Sequence, residues 1–205
     1  MKNSLLAFIP LKFVKRIFYV CIILIIGLLI AVFFSPYGKQ EGFSYKLVQH
    51  SVIIHAPVDS VFAYLGNSDN ARNWSVYVDH IEPLNSTKIA DGTVGSTRRC
   101  FCFADEKGQR WDERTTVVEQ NKRRQLITYN LIDFSMQADG LASEQLYQPI
   151  DKNSCKLTFT LFFYDHNPSF FTELKTYLGA YKVKSIFEQN LANIKRILEE
   201  KNPYL

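Results

Sequence analysis

From Ile17 to Phe34 the chain runs for 18 residues without a charge, IFYVCIILIIGLLIAVFF. Wound as an α-helix at 1.5 Å per residue, that run spans about 27 Å, close to the hydrocarbon core of a bilayer. A helix packed on a globular core carries a polar stripe at helical spacing, and none interrupts this run. The uncharged stretch continues through Ser35, Pro36, Tyr37 and Gly38, where Pro and Gly end a helix. The sequence therefore predicts a short basic tail over residues 1–13, a transmembrane helix over 14–35 and a polar linker over 36–45. A cleaved secretory signal fits less well, because its apolar region is about 7–15 residues long and its cleavage site needs small residues. Here Val32, Phe33 and Phe34 crowd the place where that site would fall.

The charge distribution bears on topology. Of the 24 basic residues, four (Lys2, Lys12, Lys15 and Arg16) precede Gly38 with no acid among them. The remaining 20 match the 20 acidic residues, so the whole net charge of +4 is N-terminal. A body balanced in this way has no basic surface able to neutralise a phosphate backbone, and nucleic acid is not an expected partner. Lys39 and Lys46 follow the span with Glu41 between them, so the positive-inside rule keeps the N-terminus cytoplasmic and places the domain on the extracytoplasmic, periplasmic side. A hydrophobic content of 47% and an aromatic content of 14% are enough to form a core, which excludes a disordered chain.

Downstream of the linker, residues 46–202 read as one α+β domain. Leu47–His55 is rich in Val and Ile and predicts a strand. Val58, Val61, Phe62 and Leu65 recur at i, i+3, i+4 and i+7 behind Ala56–Pro57 and predict a short helix closed by Gly66–Asn67. Ser68 can cap a second helical turn that runs to Asn73. Extended segments follow at Val76–Pro83, Ser96–Ala104, Arg110–Glu119, Arg124–Ile132, Leu141–Gln148 and Lys156–Tyr164. Turn residues separate them, among them Gly92, Gly95, Gly108, Asn121, Asp139–Gly140 and Asp151–Asn153. Even spacing with tight turns predicts an antiparallel meander rather than βαβ crossovers. Asn167–Pro168 then opens a terminal helix whose apolar residues keep a 3–4 spacing from Phe170 to Leu198, with Lys201 and Pro203 at its end. Gly179, midway, is expected to allow a bend or a close approach.

This order of elements resembles the helix-grip fold of the SRPBCC (START-like) superfamily, polyketide cyclase/dehydratase type. The likeness is carried by Ser51–Phe62 (SVIIHAPVDSVF), Asn73–Trp74, Gly92–Ser96 (GTVGS) and Leu191–Lys195 (LANIK), and it covers about residues 46–200. The resemblance implies a curved antiparallel sheet of about six to seven strands wrapped on the long terminal helix, with a deep apolar cavity between them. Members similar to this chain bind lipids, sterols, quinones, hormones or polyketides, and a minority catalyse cyclisation or dehydration. Fold alone does not choose among these.

Candidate site residues follow from the pattern of aromatics. The terminal helix offers Phe170, Leu174, Tyr177 and Tyr181, and the sheet offers Phe101, Phe103, Trp111, Tyr129 and Phe159, with Trp74 and Tyr77 nearby. These would form an apolar wall with Tyr hydroxyls as polar anchors; simple core packing is the competing explanation for any one of them. For catalysis Glu113 is the best candidate, since strand alternation places it with Trp111 and Thr115. The alternative is an exposed carboxylate paired with Arg98 or Arg99. His50, His55, His80 and His166 are expected at strand edges or in loops on the surface. Cys21 lies in the span, and Cys100, Cys102 and Cys155 read as small hydrophobes, with one bridge to Cys155 open to an oxidising compartment. No metal-ligand spacing, phosphate-binding loop, dinucleotide fingerprint or nucleophile elbow is present, so neither metal nor cofactor is expected. Asn73–Trp74–Ser75 and Asn85–Ser86–Thr87 fit the glycosylation pattern, which matters in a eukaryotic source.

The functional expectation is a membrane-anchored binding or carrier domain for a hydrophobic small molecule or lipid. A cyclase/dehydratase-type enzyme using Glu113 with a Tyr is the alternative, and an interaction module without a pocket is the third.

Overall fold

The structure, a computed structural model, describes residues 11–41, 43–134, 140–163 and 169–200. Six expected features lie outside the described residues: residues 1–10 of the basic tail, Gly42 of the linker, Asp139, His166, the Asn167–Pro168 helix start, and the Lys201–Pro203 stop. The chain divides into two units after Ser35.

The first unit is a single helix, α1 (Leu11–Phe33), 23 residues long. Its residues Lys12–Phe33 are long and apolar enough to cross a membrane, and none of the apolar window is buried inside the protein. A core helix would be mostly covered, so that reading falls. A membrane span and a signal sequence both fit this length and composition.

The second unit is built on an antiparallel sheet. Its strands are β1 (Gly38–Lys39), β2 (Lys46–Ile54), β3 (His80–Pro83), β4 (Thr97–Phe101), β5 (Arg110–Glu119), β6 (Arg123–Ile132), β7 (Leu141–Asp151) and β8 (Ser154–Phe163). They lie in the order β1-β2-β8-β7-β6-β5-β4-β3. From β3 to β8 each strand pairs with the next in sequence, as tight turns between strands require, and β2 returns to pair with β8. Asn121, at φ 59°, turns the β5–β6 hairpin, and Asp151 accepts the backbone N–H of Asn153 (2.8 Å) in the β7–β8 turn. The sheet has eight strands rather than six or seven because part of the segment expected as a linker folds onto it. Gly38 pairs with Leu47, and Tyr37 beside it is buried. β4 is shorter than expected, since the chain turns back from Phe103, whose carbonyl accepts the N–H of Glu106 (3.1 Å).

Between β2 and β3 come α2 (Val58–Gly66), a 3₁₀ turn (Ser68–Asn70) and α3 (Ala71–Trp74). α2 buries Val61, Phe62 and Leu65, the apolar face that its spacing predicts. Asn67, not Ser68, caps the following turn: its Oδ1 accepts the N–H of Asp69 (2.9 Å), while Ser68 is buried and its hydroxyl accepts from Arg98 (3.3 Å). Gly92 closes this corner. At φ +74° a Cβ there would stand 2.5 Å from the Gly66 carbonyl oxygen, so the contact admits glycine alone.

The terminal helix α4 (Phe170–Glu200) lies across the concave face. Its C-terminal half seats Leu191, Ile194 and Leu198 on Ile54, Leu157 and Phe159 of β2 and β8, with Val61, Phe62 and Leu65 of α2 closing the same core. Asn190 Oδ1 accepts the N–H of Val76 (2.8 Å) and Asn193 Nδ2 donates to the Trp74 carbonyl (3.1 Å), tying the end of α3 to the helix.

Ile194 is fully buried in this core, and Ile194→Ala is expected to cost about 2–5 kcal/mol of unfolding free energy. Ile53, 49% exposed on the other face of β2, gives the control: Ile53→Ala should cost less than about 1 kcal/mol. Urea unfolding followed by far-UV circular dichroism measures both.

Candidate functional site

The N-terminal half of α4 is held differently from the rest of the helix. The residues it turns toward the sheet are small: Thr176, Gly179, Ala180 and Val183. Opposite them stand Val48 on β2, Leu141 on β7, and Leu161 and Phe163 on β8, and Tyr37 closes one side. Between the two walls lies a cavity of about 50 Å³, lined almost wholly by apolar atoms. That volume is far below the roughly 300–1,000 Å³ of a typical ligand pocket. The space is small and partly open.

Tyr37 and Thr176 bring hydroxyl groups to this space. The Tyr37 ring meets Tyr177 edge-on at 5.2 Å and Phe163 at 6.4 Å. Burial, with the Glu173 carboxylate adding to it, pushes the Tyr37 hydroxyl up to about 12, so it stays protonated at neutral pH. Lys46 pairs with Glu173 and lies 5.1 Å over the Tyr177 ring, which fixes the start of β2 against α4.

The expected site residues fall into separate groups. Trp74 and Phe159 pack edge to face (6.0 Å) with Phe187 in the core under the C-terminal half of α4. Tyr77 and Trp111 stack at 6.2 Å, the Tyr77 hydroxyl donates to Gln109 (2.9 Å), and Lys182 of α4 sits 4.7 Å over the Tyr77 ring. Phe101 and Tyr129 point to the other face of the sheet, Phe101 stacked on His80 (4.8 Å) and Tyr129 under Arg114 (5.8 Å). Phe103, Phe170 and Tyr181 are exposed, Leu174 is half-buried, and Tyr177 joins the cluster around the cavity. On its α4 side the cavity is lined by small residues at helical spacing, with Tyr177 in the cluster around it. The signal for Thr176, Ala180 and Val183 was their i, i+4, i+7 spacing. Gly179 makes no close approach: no atom lies within 4 Å of the place its Cβ would occupy.

Glu113 is buried, not exposed, and both of its oxygens are engaged. Oε2 accepts from Arg98 Nε (2.9 Å) and Nη2 (2.8 Å), and Oε1 accepts from Trp111 Nε1 (2.9 Å). This carboxylate holds Arg98 and Trp111 in place. Arg124 forms a second polar group on the same face. Its Nη1 donates to Gln145 and to the Tyr147 hydroxyl (3.2 Å each), and its guanidinium lies 4.4 Å over the Phe62 ring. Burial lowers the Arg124 pKa.

Cys21, Cys100, Cys102 and Cys155 are free thiols. Among the described residues no group of three His, Cys, Asp or Glu could hold a metal ion. Asn85 of the second glycosylation pattern is engaged: its amide donates to the Gly95 carbonyl (3.0 Å) and accepts from Thr97 N–H (2.9 Å). His50 is not at a strand edge; it sits mid-strand on β2, half-buried, facing Lys184 of α4 at 3.1 Å.

A curved antiparallel sheet closed by one long terminal helix over an apolar space defines a helix-grip α+β protein. The chain belongs to the polyketide cyclase / dehydrase and lipid transport family, whose model matches residues 46–199. Solved structures share the fold at low identity. A solution structure from Thermobifida fusca aligns with a TM-score of 0.57 at 18% identity, over 75% of this chain and 93% of that one. The protein XoxI from Bacillus cereus aligns at 0.54 and 12% identity, over 74% and 94%. Norcoclaurine synthase from Thalictrum flavum, solved with dopamine and hydroxybenzaldehyde, aligns at 0.53 and 13%, over 77% and 88%. No curated protein matches the chain by sequence.

Two expected outcomes test these contacts. Glu113→Gln leaves Arg98 buried without its counter-charge and should cost about 3–5 kcal/mol, whereas Arg98→Met combined with Glu113→Leu should recover most of that loss. Chemical unfolding of the single and double variants measures the cycle. Burial, and then the Lys184 charge, lower the His50 pKa below 6.5, so the unfolded chain binds this proton more readily than the folded one. Stability should therefore fall as pH drops through 6.5 toward the lowered folded value, and Lys184→Met should flatten that dependence in thermal melts taken between neutral pH and the acid range.

Proposed function

We propose that the chain is a membrane-anchored binding or carrier domain, which takes a lipid or another hydrophobic small molecule between the sheet and the N-terminal half of α4. The observation that carries this reading is the apolar cavity walled by Thr176, Gly179, Ala180 and Val183 on one side and by Val48, Leu141, Leu161 and Phe163 on the other. Small side chains on the inward face of a helix whose Phe170, Phe171 and Tyr181 stay outside leave space that a packed core would have filled. Ligand entry widens the cavity by moving that half of α4 away from β2 and β8, while the C-terminal half stays seated on its core. Tyr37 and Tyr177 supply the polar atoms that orient the ligand, and Tyr77 and Trp111 line its path. α1 serves as an uncleaved anchor, with Lys12, Lys15 and Arg16 on the cytoplasmic side and the domain on the opposite side of the membrane. The engaged state of Glu113 favours binding over chemistry.

Gly179→Leu provides the test. The new side chain projects into open space, and replacing glycine within a helix raises helix stability by about 0.5–1 kcal/mol, so the variant should fold. Native mass spectrometry of the full chain after mild extraction should show a bound apolar molecule in the wild type and its loss in Gly179→Leu, at an unchanged or raised melting temperature. A wild type that carries no apolar molecule, and takes up none from added lipid, would sink the proposal.

A further inference from the structure

α4 passes along β2 in the same direction, and polar ties mark the seam between them. Lys46 pairs with Glu173, Lys184 Nζ donates to the Gln49 carbonyl (2.9 Å), Lys195 Nζ donates to the Ile53 carbonyl (2.7 Å), and Glu199 accepts the His55 N–H (2.9 Å). The last two lie beside the core of Leu191, Ile194 and Leu198, which seats that half of the helix by itself. The first two bracket the cavity wall from Thr176 to Val183, which rests on a much smaller cluster. Lys184 therefore stands where the firmly seated half of α4 passes into the lightly held half.

A second contact of Lys184 governs its position. Its Nζ is 3.1 Å from His50 Nδ1. An ammonium has donors only, so Nδ1 must offer its lone pair, and the imidazole proton sits on Nε2. A second proton can enter the ring only at Nδ1, where it meets the ammonium donor against donor and charge against charge. The charged groups of α4 that act on His50 are Lys184 and Glu188. From β8 the same face brings Phe159, flanked by Leu157 and Leu161, and none of these titrates. Glu188 is exposed at i+4 from Lys184, so an expelled ammonium finds a partner on its own helix.

We propose that the His50–Lys184 contact is a proton-operated catch: when His50 takes up a proton, Lys184 leaves β2 for Glu188, and α4 loosens from Thr176 to Val183 while its C-terminal half stays seated. Loosening then unloads the cavity, a consequence that rests on the carrier reading. Burial, and then the Lys184 charge, hold the His50 pKa below 6.5, so the catch is closed at neutral pH and opens in the acid range.

Amide hydrogen exchange of the full chain in detergent micelles tests the catch. It is read peptide by peptide from about pH 7.5 down to about pH 5, either side of the ordinary His value, and corrected for the intrinsic pH dependence of exchange. In the wild type, protection over residues 176–184 should fall about tenfold, the scale of one hydrogen bond to a charged group, with residues 190–198 unchanged. His50→Gln keeps an acceptor for Lys184 but cannot titrate, and should stay protected throughout. Lys184→Met should show the low protection already at neutral pH. Unchanged wild-type protection over 176–184, a fall that persists in His50→Gln, or an equal fall over 190–198 would each overturn the catch. Native mass spectrometry of the wild type over the same range should show an apolar molecule held near neutrality and lost in acid. Retention in acid over a loosened helix would overturn the unloading. No bound molecule at any pH would overturn the carrier reading, while the exchange data decide the catch on their own.

Discussion

The domain depends on a helix held by the main core at its C-terminal half and more lightly, by the Lys46–Glu173 pair and a smaller cluster, at its N-terminal half. α4 is about 46 Å long, whereas the ten-residue strands beneath it extend about 33 Å, so the sheet cannot cover the helix throughout. Leu191, Ile194 and Leu198 concentrate the contact in the C-terminal half, where they meet Ile54, Leu157 and Phe159 in a dry core. Asn190 and Asn193 add directed hydrogen bonds to the backbone around Trp74, which fix the rotation of the helix as well as its position. With rotation fixed, the N-terminal half must present Thr176 and Ala180 inward and Leu178 and Tyr181 outward. The cavity follows from that geometry.

Beyond this core the concave face becomes polar, with Arg98, Glu113 and Arg124 buried on it. Arg98 bridges Glu113 and Ser68, joining two neighbouring strands to the turn after α2. Arg124 lies under α2, its guanidinium against Phe62 and close enough to Gly66 that a Cβ there would stand 2.8 Å from Nη2. Burying two guanidinium groups is costly unless their hydrogen bonds are made locally. The partners that make them here come from β5, β7 and the 3₁₀ turn, so these interactions lock elements that sequence places far apart. Arg98 is neutralised by Glu113, whereas Arg124 bonds only to neutral groups through Nη1 and keeps its Nε buried without a hydrogen-bond partner.

Much of this was legible in the sequence because local rules and tertiary demands agree. The α2 face, the turns at Asn121 and Asp151, and the 3–4 spacing of α4 are all period signals that packing left intact. β1 was not legible: two residues have no periodicity, and Pro36 and Gly38 around Tyr37 look like a linker. What makes them a strand is the free edge of β2, which is a property of the sheet alone. The burial of Glu113 and Arg98 was half legible, since alternation pairs them across strands but cannot say how deep they lie. The aromatic residues divide among separate groups for a related reason. Their number reflects a core around Trp74, Phe159 and Phe187 and an outer layer on α4, whereas empty space is signalled by what is small.

The two edges of the sheet have a consequence of their own. β1 is only two residues long, and β3 is four residues long and ends in Pro83, which has no N–H to donate. β3 gives a second chain only a short row of open backbone groups, whereas β1 covers just Lys46 and Leu47 of the nine-residue β2. Along the rest of that strand two lysines of α4 occupy outward carbonyls, Lys184 donating to Gln49 (2.9 Å) and Lys195 to Ile53 (2.7 Å). One edge is thus too short to serve as a template, and the other is blunted by charged side chains.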